Sequence, residues 1–315
     1  MDERPTLETI RQAHQHIQGY VHRTPVLTCT TIDQRVGAQL FFKCENFQKS
    51  GSFKFRGASR AVLLLDGDQA ARGVLTHSSG NYAAALALAA HNRGIPAYIV
   101  MPSNAPAVKK EAVKNYGGEI TFSEPTMSAR EAMAAEVQQR TGATLIHTFN
   151  DYRNISGYGT AALELLEEVP DLDIIITPTG GGGLLSGTLI AAKGLKPEVQ
   201  VIGAEPAGAD DAYRSWRAGK LIPLERADTI ADGLRTSLGE RTFPIIKDLV
   251  DGIALTSEEA IREAMQLHFE RMKIVVEPSA AVPLAVLLEQ EVDVTGRRVG
   301  IILSGGNVDL MNKLA

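Results

Sequence analysis

The feature of this sequence that most restricts its fold is a run of four glycines, Gly180 to Gly183. An apolar segment, residues 173–178, precedes the run, and an aliphatic segment, residues 184–193, follows it. Because glycine loses more backbone entropy on folding than any other residue, four in succession indicate a backbone that must approach something closely. N–H groups at a helix start, together with the helix dipole, bind an anion without a basic side chain. The pattern therefore predicts a strand, a phosphate-binding turn and a helix.

The spacing of the glycines distinguishes between known phosphate-binding loops. A mononucleotide P-loop requires a lysine after its closing glycine, whereas Gly187 is followed by Thr188. A dinucleotide-binding turn fits better, because the next apolar segment, residues 199–204, ends in Glu205, where a ribose-binding acid would fall. Leu185, however, stands where that fingerprint requires a small residue. The dinucleotide turn remains a weaker alternative, as does a glycine-rich turn that binds no ligand.

A second informative residue is Lys54, which lies between Phe53 and Phe55 and two residues before Arg56. Apolar surroundings and a nearby cation both lower the proton affinity of an amine, and a neutral amine condenses with an aldehyde. Taken alone, Lys54 is more simply a surface lysine whose alkyl chain lies along apolar groups. Together with the glycine run, it predicts an anchor for pyridoxal phosphate.

Two further turns of small residues follow short apolar segments. Residues 76–81, Thr-His-Ser-Ser-Gly-Asn, precede an alanine-rich segment, and residues 304–307, Ser-Gly-Gly-Asn, follow the apolar segment 299–303. Hydroxyl and amide groups at a helix start suit the carboxylate of an amino-acid substrate, although an ordinary helix cap is the simpler explanation of residues 76–81 taken alone. Ligands of open α/β sheets collect beyond the carboxyl ends of the strands, so these turns predict one shared crevice.

These segments, in this order, resemble the fold-type II pyridoxal phosphate enzymes, specifically the serine racemase and serine/threonine dehydratase family. The resemblance extends from residues 23–27 through 41–45 and 51–54 to 303–310, and so covers nearly the whole chain. It implies an α/β fold like that of tryptophan synthase β, with two domains that each contain a mainly parallel open sheet flanked by helices. We expect residues 1–69 and 146–315 to form the large cofactor-binding domain and residues 70–145 to form a small inserted domain.

The resemblance also implies a role for each residue of the expected site. Lys54 forms the Schiff base, Phe53 packs on the cofactor ring, and Asn81 bonds its phenolic oxygen. Ser304 meets the pyridine nitrogen, and the phosphate lies on Gly180, Gly181, Gly182 and Gly183. The expected substrate contacts are Ser78, Ser79, Gly80, Asn81, Tyr82 and Thr236.

The role implied for Ser304 bears on the type of reaction. A hydroxyl protonates the pyridine nitrogen less fully than a carboxylic acid does, so the ring withdraws electrons less strongly and loss of a β-hydroxyl competes well. Lys54 would take the α-proton from one face, and the resemblance places Ser79 as the acid/base on the other. The leading hypothesis is a dehydratase, or ammonia-lyase, that converts L-serine or L-threonine to a 2-oxo acid and ammonia. A serine or amino-acid racemase, which could also be bifunctional, comes second. A 3-hydroxyaspartate ammonia-lyase comes third, since Arg130 and Arg235 could reach a second carboxylate.

The resemblance further implies a structural cation site. Glu205, the carbonyl of Ala209 and Asp211 stand at the spacing that the racemase branch uses for Mg²⁺, with Ca²⁺ or Mn²⁺ as alternatives. A solvated acidic loop is the other interpretation of these residues.

The chain departs from the family pattern at several positions. Tyr82 stands where the family usually carries histidine, so the substrate is expected to be held differently. His147-Thr148-Phe149 resembles the His-Pro-Phe motif common in threonine dehydratases, with Thr148 in place of the proline, which slightly favours a dehydratase pocket. Lys49, Tyr116 and Asn307 match a nucleotide site of the animal racemases but Ala84 does not, which leaves activation by ATP open.

Composition excludes several classes of partner. A formal charge of −5 without a basic run argues against nucleic acid, and two cysteines, Cys29 and Cys44, suit a reduced interior better than a disulfide framework. No apolar run approaches the ~20 residues of a membrane span, and residues 1–19 contain no apolar signal core. We expect a cytoplasmic enzyme that acts on a small amino acid without membrane or nucleic-acid partners. The resemblance implies a homodimer.

Overall fold

The computed structural model describes residues 3–78, 80–105 and 107–309, with the backbone alone for Val108. The α-helices of these residues are α1 (Leu7–Ile17), α2 (Thr30–Val36), α3 (Lys54–Leu63), α4 (Gly67–Arg72), α5 (Asn81–Arg93), α6 (Ala107–Asn115), α7 (Met127–Thr141), α8 (Tyr152–Glu168), α9 (Gly183–Leu195), α10 (Asp211–Ala218), α11 (Thr242–Leu249), α12 (Glu258–Leu267) and α13 (Pro278–Leu288). The strands are β1 (Val26–Leu27), β2 (Gln39–Cys44), β3 (Val74–His77), β4 (Ala97–Pro102), β5 (Glu119–Ser123), β6 (Thr144–Leu145), β7 (Ile174–Pro178), β8 (Gln200–Pro206), β9 (Gly252–Thr256) and β10 (Arg298–Leu303).

The larger of two sheets has six strands in the order β1-β2-β10-β7-β8-β9, and all neighbours except β1 and β2 are parallel. Its central strands β10, β7 and β8 are buried along most of their length because helices cover both faces. Along β7, Ile175 belongs to the hydrophobic cluster that includes α8 and α9 residues, whereas Ile174 and Ile176 belong to the cluster that includes α13. This alternation is the two-residue period of a strand buried on both sides.

The smaller sheet has four parallel strands in the order β5-β4-β3-β6, connected through α5, α6 and α7. All four strands fall within the segment expected to form the small domain, although the limits of that domain remain a prediction. The alanine-rich α5 packs closely on α3. One hydrophobic cluster therefore joins Ile99 of this sheet to Ile175 of the larger sheet.

Local hydrogen bonding and backbone geometry set the limits of two elements. β4 begins at Ala97, because the Ile95 N–H donates to the Ala90 carbonyl at 3.1 Å and completes the end of α5. α12 is followed by a π-helical turn, His268–Met272, which ends at Lys273 with φ +60°. Among the described residues, no helix combines the length and apolar character needed to span a bilayer.

Candidate active site

The turn that carries Lys54 is joined directly to the end of β10. The Phe53 N–H donates to the Ser304 carbonyl at 3.0 Å, and the Gly306 N–H donates to the Gly51 carbonyl at 2.9 Å. The Glu277 N–H donates to the carbonyl of Gly305, also at 3.0 Å. The start of α3, the end of β10 and the start of α13 therefore form one hydrogen-bonded unit, as the shared crevice requires.

Lys54 is the first residue of α3, and its amine lies among aromatic rings. The Nζ atom is 4.7 Å from the centroid of the Phe53 ring and 5.2 Å from that of Tyr158. The side chain is only half-buried, but the dense surrounding protein lowers the pKa of Lys54 to about 8, and the negative charge of Glu277 opposes that shift. An appreciable fraction of the amine is thus neutral near neutral pH. Tyr158, which sequence reasoning did not identify, forms part of this wall.

Arg56 does not perturb Lys54 as the sequence suggested. The Arg56 side chain is fully buried and donates to Glu45 at 2.7 and 2.8 Å and to Glu164 at 2.8 Å. Two carboxylates thus compensate its charge, and burial is the main cause of the lowered pKa of Lys54. The expectation that the neighbouring cation lowers the proton affinity of the amine was therefore wrong.

Glu277 is a member of the site that the sequence analysis missed. The side-chain Nδ2 of Asn81 donates to both oxygens of the Glu277 carboxylate at 2.9 Å. The side-chain Oδ1 of Asn81 accepts from Asn307 Nδ2 at 3.1 Å. Burial raises the pKa of Glu277 to about 7, while its bond from Asn81 and the charge of Lys54 oppose the shift. Glu277 precedes α13 without capping it. An acidic residue before a helix normally indicates a cap, so the sequence contains no signal for this role.

The glycine run is enclosed by protein on the sides where side chains would stand. A Cβ atom on Gly180 would lie 2.9 Å from Leu234 Cα, and one on Gly181 would lie 2.4 Å from the ring of Phe149. Gly182 has φ +84°, in the region that favours glycine. The Thr242 hydroxyl donates to the Gly181 carbonyl at 2.8 Å and fixes the turn from α11.

The N–H groups of the same run fit a phosphate. Gly180 to Gly183 are buried at the start of α9, and no acceptor among the described residues bonds their N–H groups. The neighbouring Thr179 hydroxyl is buried and also has no partner in the described part of the chain. Because buried N–H groups are almost always satisfied and those at a helix start favour negative charge, this arrangement fits an anionic group such as a phosphate.

The other expected cofactor and substrate residues that the structure describes are buried or half-buried. Ser304 is buried, and its hydroxyl bonds no described residue. The Ser78 hydroxyl accepts from the N–H of Gly80, the residue that precedes α5, at 3.3 Å. Ser79 lies outside the described residues. Thr236 is half-buried, in the connection that leads to α11.

The phenol of Tyr82 is not free to contact a substrate. It is buried and hydrogen-bonded to the Asn154 amide, donating to Oδ1 at 3.0 Å and lying 2.8 Å from Nδ2. Only the backbone N–H of Tyr82, in the first turn of α5, remains for a substrate carboxylate.

Of the two arginines considered for a second carboxylate, one is already engaged. The Arg235 guanidinium donates to the Thr229 carbonyl. Arg130 has a buried Nε without a partner in the described chain, and its charge contributes to the lowered pKa of His77, of which burial is the main cause. Beside His77, burial lowers the pKa of His147 to about 4, so that imidazole is neutral at physiological pH.

Two of the expected cation ligands, Glu205 and Asp211, are buried carboxylates. Glu205 accepts from the N–H groups of Ala212 and Tyr213 at 3.1 and 2.9 Å, and one Asp211 oxygen accepts from Leu238 at 3.0 Å. The other Asp211 oxygen is buried without a partner among the described residues. Burial, aided by neighbouring acidic groups, raises the pKa of Glu205 well above its usual range and that of Asp211 to about 6.

This chemistry fits a hard cation. The 3₁₀ turn Ala207–Ala209 brings the third expected ligand, the carbonyl of Ala209, to the same segment. Within the described residues no group of three or more His, Cys, Asp and Glu side chains could hold a metal, so a site here would combine two carboxylates with the carbonyl.

Comparison with known proteins identifies one family. The family described as Pyridoxal-phosphate dependent enzyme matches residues 17–305. Serine racemase of Oryza sativa subsp. indica is 54% identical over 309 residues, which are 96% of this chain and 91% of the relative. The beta-hydroxyaspartate dehydratase of Paracoccus denitrificans is 50% identical over 306 residues, covering 97% of each chain. The structure of maize serine racemase superposes with a TM-score of 0.96 at 51% identity, covering 99% of this chain and 96% of that one.

Proposed function

Because this chain belongs to the pyridoxal-phosphate dependent enzymes and has their fold-type II architecture, we propose that it binds the cofactor through Lys54 and racemises serine. The amine of Lys54, which lies among the rings of Phe53 and Tyr158 and has a lowered pKa, is the observation that carries this proposal. The dehydratase hypothesis, which the sequence placed first, now comes second, since the similarity to serine racemases favours racemisation and the lyase activity is supported only for the wider family.

The residues divide the chemistry between them. When bound, pyridoxal phosphate supplies an aldehyde that condenses with amines and a ring that withdraws electrons from the substrate Cα. The neutral Lys54 amine would remove the α-proton from one face of the substrate. The Ser304 hydroxyl would serve the pyridine nitrogen as an uncharged hydrogen-bond donor, and the N–H groups in the first turn of α5 would hold the substrate carboxylate. Ser79 is proposed as the acid/base on the opposite face.

The cofactor assignment is tested by spectroscopy and mass spectrometry. The purified protein should absorb in the visible range, and borohydride should bleach the band and leave a reduced adduct at Lys54. A Lys54→Ala variant should show neither. A wild-type protein that stays colourless after addition of the cofactor would rule out this function.

The choice of reaction is tested with L-serine, D-serine, L-threonine and the 3-hydroxyaspartates. We expect the opposite enantiomer of serine as the main product, with 2-oxo acid as the minor one. Predominant 2-oxo acid would restore the dehydratase hypothesis. Ser79→Ala should abolish racemisation but spare elimination from the L-isomer, because Lys54 acts on the other face.

A 3-hydroxyaspartate ammonia-lyase remains a second candidate. It is favoured by the unpaired buried Nε of Arg130 and by the similarity to the Paracoccus denitrificans dehydratase. Arg130→Ala should raise KM for 3-hydroxyaspartate at least tenfold and leave KM for serine unchanged. Equal effects on both substrates would exclude this role for Arg130.

We also propose that Glu205, the Ala209 carbonyl and Asp211 bind Mg²⁺ as a structural ion. Among the described residues no cationic side chain is a hydrogen-bond partner of either buried carboxylate, and a divalent ion would compensate their charges. From the resemblance we propose in addition a homodimer, which light scattering would test.

A further inference from the structure

Tyr82 is a buried polar side chain that the proposed mechanism does not use. It is the second residue of α5, the helix that follows β3 of the smaller sheet, and its hydroxyl pairs with Asn154 in the first turn of α8. Both side chains are almost completely buried, with exposures of 2% and 0%. Burial raises the pKa of the Tyr82 phenol above its ordinary value, so the hydroxyl keeps its proton at every working pH. The pair therefore connects α5, which packs on the smaller sheet, with α8, which packs on the larger sheet.

Asn154 extends this connection towards the glycine run. Its Nδ2 atom also donates to the His147 carbonyl at 2.7 Å, and His147 Nδ1 accepts from the Asn150 N–H at 3.1 Å. Phe149, in the middle of this turn, lies against Gly181, where a Cβ atom would meet its ring. The phenol of Tyr82 is thus linked, through one amide, to the turn that supports the expected phosphate site.

The first turn of α5 is consequently held at two points. Asn81 bonds Glu277, before α13, and Tyr82 bonds Asn154, on α8. These two anchors lie on consecutive residues, and both reach helices that pack on the larger sheet. They fix the N–H groups of this turn relative to the glycine run.

We propose that Tyr82 and Asn154 are a positioning pair that sets the distance between the carboxylate-binding turn of α5 and the cofactor phosphate site. This inference rests on the proposed function. Neither residue touches the reacting atoms; the pair acts through the turn, so it governs the affinity for every amino acid that presents the same carboxylate. Its loss weakens ground state and transition state alike, which raises KM and leaves kcat nearly unchanged.

The test compares Tyr82→Phe with wild type as holoenzymes. L-Alanine, which has no β-hydroxyl to lose, is titrated while the visible band is recorded, and KM and kcat are measured with serine. We expect the affinity for alanine to fall five- to tenfold, KM for serine to rise by the same factor, kcat to stay within twofold, and the band and cofactor content to stay unchanged. An unaltered affinity for alanine in Tyr82→Phe would overturn the proposal.

Tyr98→Phe is the matched control. Tyr98 lies on β4 of the smaller sheet, and its phenol hydroxyl bonds none of the described residues. It should match wild type in every measurement. If Tyr82→Phe loses the cofactor, the same titration is carried out with Asn154→Ser. We expect the same five- to tenfold fall in the affinity for alanine, and an unaltered affinity would overturn the proposal.

A coupling measurement separates this proposal from the proposed function. In cofactor-free proteins, the melting temperatures of Tyr82→Phe, Asn154→Leu and the double variant should be non-additive, because the double variant leaves neither partner buried alone. Additive changes would overturn the pair whether or not the protein binds pyridoxal phosphate. If the wild-type protein stays colourless but the changes in melting temperature are non-additive, the proposed function is refuted, whereas the hydrogen-bonded pair of Tyr82 and Asn154 is supported.

Discussion

Replacing Glu164 by glutamine should destabilise the protein strongly, because this carboxylate completes a buried cluster behind Lys54. The cluster contains two cations, Lys43 and Arg56, and two carboxylates, Glu45 and Glu164, and each side chain is at most 1% exposed. Glu164 accepts from Arg56 twice at 2.8 Å and from Lys43 at 2.7 Å. The charges of the cluster sum to zero, so removal of one carboxylate leaves an uncompensated buried positive charge.

The expected cost of Glu164→Gln follows from these contacts. Arg56 keeps its two bonds to Glu45 and Lys43 keeps the Thr24 carbonyl at 2.7 Å, but the one uncharged amide oxygen of glutamine cannot replace the three bonds and the negative charge of the carboxylate. Breaking a buried ion pair by removal of one partner costs about 3–5 kcal/mol. With an unfolding entropy of about 2.1 cal/mol/K per residue, a chain of 315 residues should lose about 5–8 °C in Tm.

The matched control is Glu167→Gln, three positions further along α8. Glu167 pairs with Arg23 at 2.9 Å, but both side chains are about half exposed, at 44% and 50%. Such a pair contributes less than about 1 kcal/mol, so Tm should change by less than about 2 °C. Differential scanning calorimetry of the cofactor-free proteins measures both variants. Equal losses in the two variants would refute the reasoning.

The effect of Glu164→Gln on stability should also depend on pH. Burial alone would raise the pKa of Glu164, but the charges and hydrogen bonds of Arg56 and Lys43 outweigh burial and lower it. The stability contributed by the carboxylate is therefore complete above its unfolded pKa of 4.5 and is lost as the pH falls through the lower folded value. The difference in stability between wild type and Glu164→Gln should be constant above about pH 5.5 and narrow below pH 4.5. A difference that widens on acidification would contradict this account.

Three further predictions concern the site itself. Gly181→Ala should abolish cofactor retention, measured by absorbance, because its Cβ atom would lie 2.4 Å from the Phe149 ring, whereas Gly67→Ala, which meets open space, should retain it. Chelation should lower the Tm of wild type by several degrees in scanning fluorimetry but leave Asp211→Asn unchanged; a wild type indifferent to chelation would exclude the cation. Burial raises the pKa of Glu277 from 4.5 to about 7, so the stability that its protonated form contributes is complete below pH 4.5 and is lost as the pH rises through about 7. The cofactor-free Glu277→Gln variant should lack that loss in thermal melts, and a slope equal to that of wild type would disprove it.

The sequence predicted the features that depend on neighbouring residues. The glycine run lies between a buried strand and a helix, residues 76–81 lead into the alanine-rich helix α5, and both sheets are mainly parallel. Each of these features follows from a local pattern, because apolar periodicity and turn residues act over a few positions.

The sequence did not predict the pairs that join distant segments. Asn81 and Glu277 are separated by 196 positions, and Tyr82 and Asn154 by 72. The direction of the Arg56 side chain was missed for the same reason, since Glu164 lies 108 positions away. Such pairs depend on how the helices dock on the two sheets, which a single sequence does not encode in any short motif.

The place of β10 in the larger sheet has a consequence for biosynthesis. It is the last strand of the described chain, yet it lies between β2 and β7, and its end holds the turn of Lys54. During translation, β2 and β7 therefore keep unpaired inner edges until residues 298–303 have left the ribosome, an interval in which such edges invite aggregation. A nascent polypeptide that stops short of β10 lacks the strand that fixes the lysine, so the cofactor-binding state is reached only after residues 298–303 have been synthesised.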